Sequence, residues 1–221
     1  MTGDAILVPG TLCDARIFAD LLERLPDVRG QVAELAEHGS VEAAARSALA
    51  GAPARFVAIG FSLGGFVALE MLRLAPERLR GVILMAGNAH PDAPENAAAR
   101  IAEVSRARDM GMAQFVAERF PNDAYGALIA AMAADLGHDA HARHAAMNIA
   151  RPDLRDVAYR SAVPILVIAG DRDPFCPRER YEIAAAGPLA QLHVISGAGH
   201  YLPLEVPGAV AAAIRSWEVP A

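Results

Sequence analysis

A chain of 221 residues that is 54% hydrophobic is long enough to bury one sizeable core, as a single domain or a domain with an insertion. Its net charge is −6, its twenty basic side chains are all arginine, and no basic stripe is apparent, which argues against a nucleic-acid partner. No apolar run approaches the roughly 20 residues of a membrane span, and Met1-Thr2-Gly3-Asp4 lacks the basic start of a signal peptide, so a cytoplasmic protein is expected.

In chain order, strands are predicted at Ala5–Val8, Gln31–Leu35, Phe56–Ile59, Val82–Met85, Ile165–Ala169 and Leu192–Ile195. The runs around Ile6, Val57, Val82 and Ile165 are continuously apolar, the mark of strands buried on both faces of a parallel sheet. Helices are predicted at Ala15–Leu25, Val41–Ala50, Gly65–Ala75, Arg178–Ala186 and Pro207–Trp217. Strand and helix in alternation imply right-handed crossovers and a doubly wound α/β sheet. Asn88 to Arg160 breaks this rhythm. It is rich in Ala and Met, helical in character, and reads as an insertion of about four helices.

Ligands of such sheets sit at the carboxyl ends of the strands, which directs attention to the loops there. The third strand runs into Gly60-Phe61-Ser62-Leu63-Gly64-Gly65, a Gly-x-Ser-x-Gly between strand and helix. Glycines at both flanks let the backbone bend sharply and lift the Ser62 hydroxyl clear of the sheet. The next helix points its free N–H groups at the same place, where an oxyanion could be held. Gly170-Asp171-Arg172-Asp173 follows the fifth strand and Gly199-His200 the sixth. A hydroxyl nucleophile needs a base, imidazole serves near neutral pH, and a carboxylate fixes the imidazole tautomer. Ser62, Asp173 and His200 therefore converge at one sheet edge. Their rivals are Asp171, which could close the turn through its backbone bonds, and His193, which lies within a strand.

On these motifs the chain resembles the α/β-hydrolase family over nearly its whole length, in particular small bacterial carboxylesterases, pimeloyl-ACP methyl ester esterase and enol-lactonases. The resemblance implies a mostly parallel six-stranded sheet with helices on both faces, a core over 1–87 and 161–221, and a helical lid over 88–160. It makes Ser62 the nucleophile, Asp173 the acid and His200 the base, with backbone N–H groups of Leu63 and Thr11 holding the oxyanion; Leu12, or an ordinary turn with no such role, is the alternative to Thr11. Two departures are visible. The family usually has His-Gly after its first core strand, whereas this chain has Pro9-Gly10-Thr11-Leu12; the two extra N-terminal strands common in the family are not expected here.

The implied reaction is hydrolysis of a small or medium carboxylic ester, thioester or lactone through an acyl-enzyme, with no metal or organic cofactor. The alternatives are acyl transfer or perhydrolysis on the same triad, or a non-catalytic ligand-binding protein of this fold. Expected substrate contacts are Leu12, Met112, Phe115, Met147, Arg151 and Tyr201; flexible methionines suit an acyl chain, and Arg151 could meet a substrate carboxylate. Asp135, His138, His141 and His144 recur every third residue, yet each step turns a helix by about 300°, so they cannot converge on one metal ion. Gly137 interrupts the helix there as well. Cys13 and Cys176 are too few for a metal site or disulfide framework and read as packing thiols.

Overall fold

The computed structural model describes residues 2–119 and 125–217; positions 120–124 of the predicted insertion lie outside the described residues. Six strands, β1 (Gly3–Val8), β2 (Val28–Val32), β3 (Phe56–Phe61), β4 (Leu79–Met85), β5 (Ile165–Gly170) and β6 (Ala190–Ile195), form one sheet. Their order is β2-β1-β3-β4-β5-β6, and every pairing is parallel. β3 and β5 are buried along their full lengths, as their unbroken apolar sequences require. The chain leaves β1 for β2 on one side and returns to β3 on the other. The crevice for a ligand in such a sheet opens at that reversal, beyond the carboxyl ends of β1 and β3.

Helices cover both faces. Alternate residues of β1 and β3 divide between two cores, Ile6, Val8 and Ala58 on one side and Leu7, Val57 and Ile59 on the other. The first core is closed by α2 (Val41–Gly51), α3 (Leu63–Leu74), α7 (Arg155–Tyr159) and α8 (Arg178–Ala184). Ser40 starts α2 by accepting the Ala43 N–H at 3.2 Å. The second core takes α1 (Ala19–Glu23), α9 (Leu202–Glu205), α10 (Pro207–Ser216) and side chains of α4 (Asn96–Met110), α5 (Met112–Arg119) and α6 (Gly126–Ile149). Among the described residues, α4 to α7 lie between β4 and β5. Gly137, at φ 76° and ψ −178°, divides α6 into two helical pieces.

Three local expectations change. The segment predicted as one helix from Ala15 is a 3-10 turn, Ala15–Phe18, capped by Asp14, followed by the single turn of α1. β2 lies three residues earlier than expected. It is an edge strand with only its end residues half-buried, so its apolar signal is weak, and Leu35, which suggested strand, is buried beyond its end. The short α9 was not anticipated. Among the described residues no helix is long and apolar enough to cross a membrane.

Candidate active site

Ser62 stands between β3 and α3 with φ 51° and ψ −114°, a strained backbone for a residue with a Cβ. Its N–H donates to the Met85 carbonyl at 2.9 Å, which ties the turn to β4. Gly64 makes this turn possible. A Cβ there would lie 2.1 Å from the Val8 carbonyl oxygen, so any side chain would push α3 away from β1. The loops after β5 and β6 meet in the same manner: a Cβ on Gly170 would lie 2.2 Å from the Ala198 oxygen.

These loops bring the imidazole of His200 to Ser62. Nε2 is 3.0 Å from Ser62 Oγ, and Nδ1 is 2.6 Å from Asp173 Oδ2. The ring is enclosed by Phe61, Phe175 and Tyr201, with Phe175 edge-on at 5.0 Å between centroids. Glu205 accepts the N–H groups on both sides of the histidine, Gly199 at 2.6 Å and Tyr201 at 2.7 Å, and so fixes its loop.

Asp173 is buried behind the imidazole. Oδ1 accepts the N–H groups of Phe175 and Cys176 at 2.7 and 3.1 Å, and Oδ2 accepts the hydroxyl of Tyr181 as well as His200. Burial alone would raise its pKa, but the His200 contact, the Tyr181 hydroxyl and the backbone together hold the carboxyl below its usual range. Tyr181 itself is pushed up by burial and by Cys176 and Asp173, so it stays a phenol that donates. Asp171 instead accepts from Gly197 N at 2.6 Å and Ser196 Oγ at 3.1 Å, closing the turn. His193 is exposed on β6. Burial raises the thiols of Cys13 and Cys176 to about 12 and about 11, which keeps both protonated.

The loop after β1 is held from a distance. Leu12, at φ 58°, donates its N–H to His144 Nδ1 at 3.1 Å. Asn148, one turn further along α6, donates Nδ2 to Thr11 Oγ1 at 3.1 Å and accepts from Arg151 Nη1 at 3.1 Å. The Leu12 N–H is thereby engaged. The N–H groups of Thr11 and Leu63 meet no acceptor among the described residues. Burial, then His141 and Arg143, lowers His144 to about 4, so its ring is neutral and accepts at physiological pH.

A cavity of about 390 Å³ opens over this cluster, lined by Thr11, Ser62, Leu63 and His200. Four of the six expected substrate contacts, Leu12, Phe115, Arg151 and Tyr201, line it. The other two do not. Met112 and Met147 are buried in the two cores, because they fall on the packed faces of α5 and α6. Arg151 is largely committed already, to Asp92, Asn148 and the His90 carbonyl. The residues of the rejected histidine ladder have other partners: Asp135 pairs with Arg16, and His144 accepts from Leu12. Among the described residues no three His, Cys, Asp or Glu side chains are grouped as a metal ion needs.

Sequence reasoning missed Tyr181, Glu205, His144 and Asn148. Glu205 had a readable signal, since Pro203 in a first turn with a glutamate behind it resembles a helix start whose acid reaches back to cap the backbone. The partners of His144 and Asn148 lie 132 and 137 residues away, beyond any local pattern.

A sequence profile of the alpha/beta hydrolase family matches residues 5–213. The chain belongs to that family. A solved thermophilic esterase from Thermogutta terrifontis, with malate bound, superposes on 98% of this chain and 90% of its own at a TM-score of 0.84 and 29% identity. The enol-lactonase of Burkholderia xenovorans gives 0.82 at 20% identity over 97% and 90% of the two chains. A hydrolase from Pseudomonas aeruginosa gives 0.82 at 23% identity over 97% and 89%. No curated protein matches by sequence search. This alpha/beta hydrolase thus has the expected parallel sheet, and its Ser62 sits at the point where strand order reverses.

Proposed function

We propose that this alpha/beta hydrolase is a serine hydrolase of small or medium carboxylic esters, thioesters or lactones, acting through an acyl-enzyme on Ser62. The observation that carries the reading is the continuous chain Ser62 Oγ, His200 Nε2, His200 Nδ1, Asp173 Oδ2, with contacts of 3.0 and 2.6 Å. Ser62 Oγ attacks the carbonyl carbon while its proton passes to His200 Nε2. Asp173 stabilises the imidazolium that forms. The carbonyl oxygen becomes an oxyanion held by Thr11 N–H and Leu63 N–H, each donor supplying roughly 3 kcal/mol of transition-state stabilisation. When the tetrahedral intermediate collapses, the leaving oxygen or sulfur takes the proton from His200. Water then attacks the acyl-enzyme, gives its proton to His200, and the released Ser62 recovers it as the acid departs.

An esterase at 29% identity and an enol-lactonase of the same fold support the choice among acyl substrates. The cavity volume, about 390 Å³, lies at the small end of ligand pockets and suits a short acyl group. In this reading 88–160 is a lid over the core formed by 1–87 and 161–221, and it also supports the oxyanion loop through α6. The experiment is rapid mixing with p-nitrophenyl acetate and butyrate. A burst of p-nitrophenol stoichiometric with enzyme, abolished in Ser62→Ala, is expected; steady release undiminished in Ser62→Ala would overturn the proposal.

A further inference from the structure

The cavity carries an unbalanced charge. On one wall the buried carboxylate of Asp92 is shared by two guanidiniums, with Arg100 Nε at 2.5 Å and Arg151 Nη2 at 3.1 Å. A third, Arg180 in the first turn of α8, lines the same cavity and is half-buried. Among the described residues its guanidinium has no carboxylate partner and no hydrogen-bond acceptor. It is nevertheless near the others: burial first, then Arg100 and Arg180, pull Arg151 down to about 10 against the opposing pull of Asp92. Among the described residues, the other acid lining the cavity, Glu103, is engaged by Arg119 at 2.8 Å. On α8 itself Glu182 is tied to Arg178 and Glu179 is exposed to water. Arg100 and Arg151 therefore share the carboxylate of Asp92, and among the described residues lining the cavity no further acid remains to balance Arg180.

We propose that Arg180 is an anion-recognition residue of the acyl site, and that the preferred substrates carry a free carboxylate besides the ester or lactone, as does a monoester of a short dicarboxylic acid. This rests on the serine-hydrolase reading for the reacting end of the molecule. The planar fork of a guanidinium accepts a carboxylate through two parallel hydrogen bonds. Arg151 cannot offer that fork, because its Nε, Nη1 and Nη2 are spent on the His90 carbonyl, Asn148 and Asp92. Arg180 has its whole fork to offer. A short methylene spacer between carboxylate and ester fits a cavity of about 390 Å³ that is lined by Arg180 and also by Thr11, Ser62 and Leu63. Hydrolysis would release a dicarboxylate, so the same residue predicts competitive inhibition by product.

The test compares monomethyl glutarate with methyl pentanoate, which has the same spacer and a methyl in place of the carboxylate. The expected kcat/KM ratio favours the charged ester by about tenfold to a hundredfold. It falls to near one in Arg180→Gln, chiefly through KM, and shrinks in 0.5 M NaCl because a half-exposed pair is screened. Independently, glutarate titrated calorimetrically into Ser62→Ala gives binding heat that Ser62→Ala/Arg180→Gln loses. Equal rates for the two esters, or a preference that survives Arg180→Gln, overturn the proposal. Should neither ester be cleaved while glutarate still binds through Arg180, the anion site stands and the hydrolase reading falls. Absence of both cleavage and binding removes the anion site as well.

Discussion

His144 Nδ1 accepts the N–H of Leu12 at 3.1 Å, joining α6 to the loop after β1 across 132 residues of chain. The loop runs Pro9-Gly10-Thr11-Leu12, and a histidine of α6 fixes it. Because the bond engages Leu12, it leaves the Thr11 N–H, with that of Leu63, as the donors proposed above for the oxyanion. His144→Phe should lower kcat for p-nitrophenyl acetate by about tenfold to a hundredfold with KM nearly unchanged, since displacement of a catalytic donor by about 1 Å costs that much. His144→Gln, which retains an acceptor, should recover part of the loss. A variant that changes KM alone, or both variants behaving alike, would contradict a positioning role.

The same histidine makes stability pH-dependent. Its folded pKa, about 4, lies below the ordinary imidazole value of about 6.5. The unfolded chain therefore binds a proton that the folded chain refuses, and stability falls as pH drops from 6.5 to 4. Full expression of that difference is roughly 3 kcal/mol. Burial also lowers His90 and His141, which add to the slope with the same sign. Urea denaturation at pH 7, 5.5 and 4.5 should show falling stability, with a shallower slope in His144→Gln. A slope unaltered by that substitution would assign the effect elsewhere.

Tyr181 donates its hydroxyl to the oxygen of Asp173 that also meets His200. Tyr181→Phe removes one of the contacts that hold the carboxyl below its usual range. The acid limb of kcat/KM should move to higher pH, and kcat at neutral pH should fall about threefold to tenfold. Loss of a hydrogen bond to a charged group supports that magnitude. A pH–rate profile superimposable on the wild type would show that Phe175 N, Cys176 N and His200 suffice.

Glu205 holds the two N–H groups that flank His200. Glu205→Ala leaves both donors without their acceptor and frees the loop, so kcat should fall at least tenfold. Glu205→Gln keeps a carbonyl acceptor and should fall less. Thermal unfolding of both variants separates lost positioning from lost fold, with melting shifts of a few degrees expected.

Legibility followed burial and sequence distance. β3 and β5 were visible because strands covered on both faces must be apolar throughout, as Val57-Ala58-Ile59 and Ile165-Leu166-Val167 are. β2 was misplaced because an edge strand with exposed Arg29, Gly30 and Gln31 carries little such signal. Ser62, Asp173 and His200 could be grouped because each follows a strand of a single parallel sheet, so topology alone carries them to one edge. Met112 and Met147 were assigned to the cavity from composition, and composition does not say which face of a helix is packed. Arg180 drew no notice in the sequence, since a charged residue at the start of a helix is ordinary until its surroundings are known.

Intact-protein mass spectrometry after treatment with a fluorophosphonate, followed by peptide mapping, tests the central claim most directly. The account predicts a single phosphonyl adduct on Ser62, absent in Ser62→Ala and strongly slowed in His200→Ala, with ester hydrolysis lost in step with labelling. An adduct on another residue, or hydrolysis that persists in Ser62→Ala, would contradict it.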